Sequence, residues 1–187
     1  MYVPYGKRVL DVVVASALIV LMSWLLLLIL LAYWLTFSFP VFFRQTRLGK
    51  GEITFDLIKF RSLNADQKRP FALGSFLRYT SLDELPQLFQ VVSGKLSLIG
   101  PRPLPVTYRN LYTAEQHRRH DVLPGITGWA QVNGRHSITW QRKFELDHYY
   151  VTHISLGMDF RIFIKTIALL MSMAKDRSLE EQEFKGN

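Results

Sequence analysis

Apolar residues crowd the front of the chain with neither helical spacing nor alternation, and from Val12 to Phe43 no residue carries a charge, 32 in succession. Basic residues stand on both sides of this run, Lys7 and Arg8 before it and Arg44, Arg47 and Lys50 after it. A bilayer core of about 30 Å takes a helix of roughly 20 apolar residues, so the run exceeds one span and falls short of two spans with a turn. Lysine and arginine collect on the cytoplasmic side of membrane segments, which puts both ends there. A helix that dips in, breaks and returns satisfies both constraints. A single tilted span from Leu10 to about Phe37 also absorbs the surplus length, and in either case residues 44–187 are delivered to the cytoplasm. A cleaved signal peptide is not expected, because its apolar region is typically about 7–15 residues and no small-x-small site follows here.

Past residue 40 the pattern changes. Val41 to Arg47 and Ile53 to Phe60 are β-prone runs separated by Leu48-Gly-Lys-Gly-Glu52, which predicts a hairpin. Asn64 to Pro70 is polar and reads as a surface loop. Leu82, Leu85, Leu88 and Phe89 follow helical spacing. Trp140 to Tyr150 predicts a helix carrying Glu145 and Asp147. Ser155-Leu-Gly-Met-Asp159 opens an apolar helix reaching about Ala174, interrupted by Arg161 and Lys165. That helix is too short to span and is expected to lie in the interface or pack beneath the membrane segment. Residues 176–187 are polar and expected to fray.

Charge and composition narrow this picture. The 23 Lys and Arg outnumber the 15 Asp and Glu by eight, which suits an anionic leaflet, a phosphorylated ligand or nucleic acid. Cysteine is absent, so the chain has no disulfides and no thiolate metal sites, in agreement with a reducing compartment.

Three short segments carry candidate chemistry. In Ser81-Leu-Asp83-Glu84-Leu-Pro86, Ser81 and Glu84 have the spacing of a capping box, and by itself Glu84 reads sooner as a partner of the Ser81 N–H than as a catalytic group. A helix start also keeps the carboxylates of Asp83 and Glu84 ionised and attracts phosphate. An ionised Asp83 is then a candidate nucleophile at phosphorus, and Glu84 a candidate ligand for Mg²⁺. Pro101 and Pro103 flank Arg102, delivering its guanidinium from a stiff backbone to phosphate oxygens; a rigid loop with a solvated arginine has the same pattern. In Leu123-Pro-Gly125-Ile-Thr-Gly128-Trp-Ala-Gln131-Val-Asn133-Gly134-Arg135, three glycines suggest a loop whose backbone approaches a ligand, although a turn-rich connector looks similar.

Taken together and in this order, these segments resemble the bacterial sugar transferases of the monotopic phosphoglycosyl transferase type, in a minimal single-domain form. The resemblance spans nearly the whole chain. It rests on Lys7-Arg8-x-x-Asp11, Pro40-Val-Phe-Phe-Arg-Gln-x-Arg47-x-Gly49, Lys59-Phe-Arg61-Ser62, Leu77-Arg78-x-Thr-Ser-Leu-Asp-Glu-Leu-Pro-Gln-Leu88, Gly100-Pro-Arg-Pro-Leu104 and Pro124-Gly-Ile-Thr-Gly-Trp-Ala-Gln-Val-Asn-Gly-Arg135.

The resemblance implies an α+β fold, mainly helical: a re-entrant membrane helix over 1–39, and over 40–175 a catalytic domain with a small hairpin and interfacial amphipathic helices. Residues 176–187 form a polar tail. It implies transfer of a phosphosugar from a UDP-sugar to polyprenyl phosphate with release of UMP, at the bacterial inner membrane and on its cytoplasmic face, beginning a surface glycan. Asp83 would be the nucleophile, with a covalent phosphosugar intermediate, and Glu84 its partner at Mg²⁺. Arg78, Arg102, Lys59 and Arg61 are candidates for the diphosphate and uridine, flanked by Pro101 and Pro103; Gln131, Arg135, Asp147 and Asp159 rank below them. Membrane lipid is an expected partner, nucleic acid is not, and a homo-oligomer is allowed. Family members commonly carry a Ser-Pro pair that kinks the embedded helix, whereas here Ser23 is followed by Trp24, leaving only the milder bend a serine back-bond produces. Two other classes use the same residues: a UDP-sugar hydrolase with water as acceptor, and a non-catalytic basic binding protein tethered to the membrane.

Overall fold

The computed structural model describes residues 2–36, 38–64, 66, 69–134, 137–172, 184 and 186. After a π-helical turn, Tyr2–Gly6, helix α1 (Lys7–Leu21) and helix α2 (Ser23–Leu35) meet at Met22 with a bend of 58°. No single helix among the described residues is long and apolar enough to cross a membrane, while this bent pair is so by length and composition. Ser23 Oγ donates to the Val20 carbonyl at 2.9 Å, the back-bond anticipated from the sequence. The bend nevertheless exceeds what one hydroxyl imposes, and packing explains the rest. Ala15, Leu18 and Ile19 of α1 seat against Leu57, Leu88, Val91 and Leu96, whereas Leu25, Ile29 and Tyr33 of α2 seat against Phe60 and Leu77. Two separate apolar clusters therefore hold the two helices at an angle without proline.

Strands β1 (Phe42–Leu48) and β2 (Thr54–Phe60) form the expected hairpin within a residue, antiparallel from Phe42 opposite Phe60 to Leu48 opposite Thr54. The connecting turn requires positive φ at Gly51 (59°), which glycine adopts freely, and at Glu52 (60°), where Arg109 and His117 hold the side chain. Helix α3 (Ala72–Thr80), a 3₁₀ turn over Leu82–Glu84 and helix α4 (Gln87–Val92) follow. The buried Gln90 side chain accepts from Ile58 N at 2.9 Å and donates to the Asp56 carbonyl at 2.6 Å, so α4 closes the open edge of β2 as a further strand would. Arg8 donates to the carbonyls of Val91 and Val92 at 2.7 and 2.9 Å, satisfying the exposed carbonyl end of α4.

Strand β3 (Ser97–Ile99) leads to a 3₁₀ segment, Val106–Leu111, then to helix α5 (Ala114–His117) and a second 3₁₀ turn, Arg118–Asp121. Strand β4 (Gly125–Thr127) pairs parallel with β3, and helices α6 (Trp129–Val132), α7 (Trp140–Thr152) and α8 (Leu156–Ser172) complete the chain. The fold is mainly helical, 61%, with two small sheets, as the α+β expectation has it. The segment read as a ligand-approaching loop instead contributes β4 and α6. Its glycines approach backbone: a Cβ at Gly128 would lie 2.1 Å from the Gly100 carbonyl oxygen, and one at Gly125 would lie 2.1 Å from the Gly100 nitrogen. Asp11 of α1, buried, accepts from Ser97 Oγ at 2.7 Å and from Leu98 N at 3.0 Å, pinning α1 to β3. Phe184, inside the tail expected to fray, is buried among Tyr108, Tyr112, Trp140 and Phe144, because four aromatic rings outweigh its polar neighbours.

Candidate active site

Asp83 lies where α3 has ended and α4 has not begun. Ser81, at φ 58°, stops α3 by turning its N–H to the Arg78 carbonyl (3.2 Å), and the reversal points the Leu82–Glu84 turn back toward β2. Gly74 lets α3 lie directly on the exit of β2, since a Cβ there would stand 2.0 Å from the Ser62 carbonyl oxygen. Asp83 is thereby 8% exposed. The capping box does not form at this turn. The Ser81 side chain does not cap, Glu84 N bonds the Ser81 carbonyl instead, and a capping box forms elsewhere, at Thr113 and Gln116. The Glu84 carboxylate is left for two cations: Oε1 stands 3.8 Å from Lys59 Nζ on β2 and 3.8 Å from Arg102 Nη1. These are ion pairs longer than hydrogen bonds, so neither cation is committed to Glu84 by a direct hydrogen bond.

Burial, with Glu84 second, pushes the Asp83 carboxyl above its usual range, while Lys59, Arg78 and a backbone N–H pull it down. The turn is only three residues long, and burial raises this carboxyl against the ionising influence expected of a helix start. Burial likewise lowers Lys59, assisted by Arg102 and Arg47 and opposed by Glu84 and Asp83. Arg47 and Arg102 thus act on Lys59, and Lys59 and Arg78 act on Asp83, which gathers basic side chains around the two carboxylates. Arg47 comes as a site residue not foreseen. It arrives because β1 bridges to Pro105 and Leu48 N bonds the Leu104 carbonyl at 3.1 Å, bringing the hairpin to the proline-flanked loop.

Arg102 is held from behind. Pro101 and Pro103 are buried, and the Pro101 carbonyl accepts from Gly125 N at 2.9 Å. Arg119 Nη2 donates to the Arg102 carbonyl and to Asp147 Oδ2, both at 2.8 Å, and the Arg119 and Asp147 side chains are each 4% exposed. The guanidinium also lies over the rings of Phe144 and Tyr112, at 5.5 and 6.0 Å. Burial pushes the Asp147 carboxyl up and Arg119 pulls it back. Asp147 is thus a support for the Arg102 loop. Nothing in the run Arg118-Arg119-His120-Asp121 announced Arg119, since such a charged stretch reads as a solvated surface.

The remaining candidates are placed elsewhere. Arg61 donates to the carbonyls of Pro40 (2.9 Å) and Leu63 (3.3 Å) and covers Phe71, tying β2 to the end of the apolar segment. Gln131 donates to the Ile126 carbonyl at 3.1 Å, bracing β4 against α6. Asp159 accepts from Tyr2, Lys7 (2.8 Å) and Tyr150 (2.8 Å), clasping the chain start to α7 and α8. Arg135 lies outside the described residues.

A buried carboxylate with Lys59 and Arg78 acting on it, and with Arg102 facing the adjacent Glu84, can attack phosphorus while cations hold phosphate oxygens. No cluster of three or more His, Cys, Asp or Glu suited to a metal exists among the described residues. Mg²⁺ asks for less, one or two carboxylates completed by ligand phosphates and water, and the adjacent, mutually repelling Asp83 and Glu84 fit that demand.

Residues 2–173 match the family model described as bacterial sugar transferase. The chain is 43% identical to the uncharacterized sugar transferase EpsL of Bacillus subtilis over 86% of this chain and 85% of that one. It is 37% identical to the UDP-glucose:undecaprenyl-phosphate glucose-1-phosphate transferase of Caulobacter vibrioides, over 89% of this chain and 70% of the relative. With the enzyme of the same name in Escherichia coli it shares 38% identity over 86% of its own length, spanning 39% of that longer protein. A family match that takes in α1, the hairpin, the Asp83 turn, the Arg102 loop and α8 together places this chain in the bacterial sugar transferase family.

Proposed function

We propose that this chain is a phosphoglycosyl transferase that moves a phosphosugar from a UDP-sugar to undecaprenyl phosphate, releasing UMP and beginning a surface glycan. The observation that carries the reading is Asp83, buried beside Glu84 with Lys59 and Arg78 acting on it, while Lys59 and Arg102 face Glu84. Relatives named as undecaprenyl-phosphate sugar-phosphate transferases support it.

In the first half-reaction a carboxylate oxygen of Asp83 attacks the phosphorus bonded to the sugar, the bond from that phosphorus to the UMP oxygen breaks, and UMP leaves. In the second, a phosphate oxygen of the acceptor attacks the same phosphorus and Asp83 is freed. Arg102 and Lys59 hold the diphosphate oxygens in this scheme, and Arg78 lowers the cost of ionising Asp83. Asp83 and Glu84 would hold Mg²⁺, which supplies charge neutralisation at the diphosphate. Burial suits the task, since it raises the nucleophile's basicity and excludes water from the acyl phosphate.

The acceptor's lipid tail requires the nucleophile to sit at membrane height. The bent α1–α2 pair supports a re-entrant placement, with Lys7, Arg8, Arg44 and Arg47 at the cytoplasmic surface of the inner membrane. Purified protein with Mg²⁺, undecaprenyl phosphate and a panel of UDP-sugars should release UMP, and Asp83→Ala should abolish release. No UMP from any donor, or undiminished release from the variant, rejects the reading; continuous release of more than one UMP per enzyme without acceptor would mark a hydrolase.

A further inference from the structure

Helix α8 presents three longitudinal strips. At about 100° per residue, Asp159 and Ile162 fall on the buried side, and Phe160, Phe163, Ile164, Ile167 and Met171 fall on an exposed side. Arg161 and Lys165, one turn apart, share the seam between the two strips. Both lean over one indole: Arg161 Cζ is 5.3 Å and Lys165 Nζ 4.7 Å from the centre of the Trp129 ring. Lys165 Nζ also donates to Asn133 Oδ1 at 2.7 Å. Neither cation forms a salt bridge among the described residues.

Two like charges gathered on one ring repel each other, and a ring quadrupole offsets only part of that repulsion. Their position supplies the missing anion. The exposed strip of α8 is a row of large apolar side chains that in lipid would lie against acyl tails, and a basic pair at the border of such a strip sits at the height of the headgroups. The geometry points to a headgroup site on the Trp129–Arg161–Lys165 seam that takes the phosphate of an anionic phospholipid of the surrounding leaflet, with the tails of that lipid along Phe160 and Ile164. The site is separate from the Asp83 cluster and rests on the membrane placement proposed above.

Full-length protein in detergent micelles, titrated with phosphatidylglycerol or phosphatidylcholine and read by native mass spectrometry, tests it. Phosphatidylglycerol should bind more tightly by about tenfold or more, in line with the attraction of two basic side chains for an anionic lipid. Arg161→Gln with Lys165→Gln should erase that preference and leave phosphatidylcholine binding intact. Arg161→Gln alone, at an exposed position that cannot disturb the core, should lower it several-fold. Arg118→Gln with Arg142→Gln removes equal charge elsewhere and should leave the preference in place. Equal binding of the two lipids by the unaltered chain overturns the site while sparing the membrane placement; binding of neither overturns both. An undiminished preference in the seam variants, or an equal loss in the charge-matched control, overturns the site. Displacement of phosphatidylglycerol by millimolar inorganic phosphate would show a free-anion site and overturn the lipid assignment.

Discussion

Arg119 and Arg102 are joined through a single nitrogen: Nη2 of Arg119 donates to the Arg102 carbonyl oxygen at 2.8 Å while also holding Asp147 Oδ2 at 2.8 Å. Arg102 in turn reaches Glu84 at 3.8 Å, so a buried ion pair between the Arg118–Asp121 turn and α7 sets the backbone from which a site cation projects. Asp147→Leu leaves the Arg119 charge buried and unpaired, and should cost about 3–5 kcal/mol of stability in a chemical denaturation curve. The double variant Asp147→Leu with Arg119→Met removes both charges and should recover most of that loss. UMP release should be low in the double variant, because Arg119→Met removes the donor to the Arg102 carbonyl.

Asp83 makes a prediction in which stability and activity move in opposite directions. Its carboxyl lies above the usual range in the folded chain, so the folded state keeps that proton to higher pH than the unfolded state. Stability then falls as pH rises from the unfolded to the folded value, and the charged form carries the penalty at neutral pH. Asp83→Asn should therefore keep or raise the Tm at neutral pH while abolishing UMP release.

The same shift places the acid limb of the pH–rate profile above the ordinary aspartate range, because attack needs the ionised carboxylate. Lys59 is among the groups that lower Asp83. Lys59→Met should move that limb to still higher pH and reduce the rate on the plateau. An unmoved limb would mean that another group controls it.

Gly74→Ala tests how closely α3 must lie on β2. The new Cβ would stand 2.0 Å from the Ser62 carbonyl oxygen, a backbone atom with no rotamer to escape into. Overpacking of this kind costs about 1–3 kcal/mol. The expected result is a lower Tm together with lower UMP release, since α3 carries Arg78 and leads into the Asp83 turn.

The absence of cysteine makes a topology experiment clean. Tyr5, 77% exposed, and Lys50, also exposed, flank the bent pair. In inverted and right-side-out vesicles, Tyr5→Cys and Lys50→Cys should react with an impermeant maleimide from the same, cytoplasmic side. Opposite labelling would mean a straight span.

The hairpin was legible residue by residue, because β-prone runs around a Gly-rich turn depend on near neighbours alone. The apolar run and its basic flanks were legible for the same reason, and Asp83, Glu84, Lys59 and Arg102 could be singled out because each stands in a short contiguous motif. The role of Glu84 was not legible locally. Its spacing from Ser81 argued for a capping box, and the box failed because Ser81 took a left-handed conformation and two cations distant in sequence offered the carboxylate better partners.

Short-range spacing and motif order thus pointed to the family, to the uncharged segment and to Asp83 and Glu84 as candidate carboxylates, since these depend on which residue follows which. The 58° bend at Met22 needed α1 and α2 to find different apolar clusters, and the support of Arg102 needed Arg119 and Asp147 to meet inside the core. Phe184 found its aromatic pocket in the same way. Desolvation did the rest: Asp83 is an ordinary aspartate in the sequence, and burial, with Glu84 beside it, is what raises its carboxyl in the folded chain.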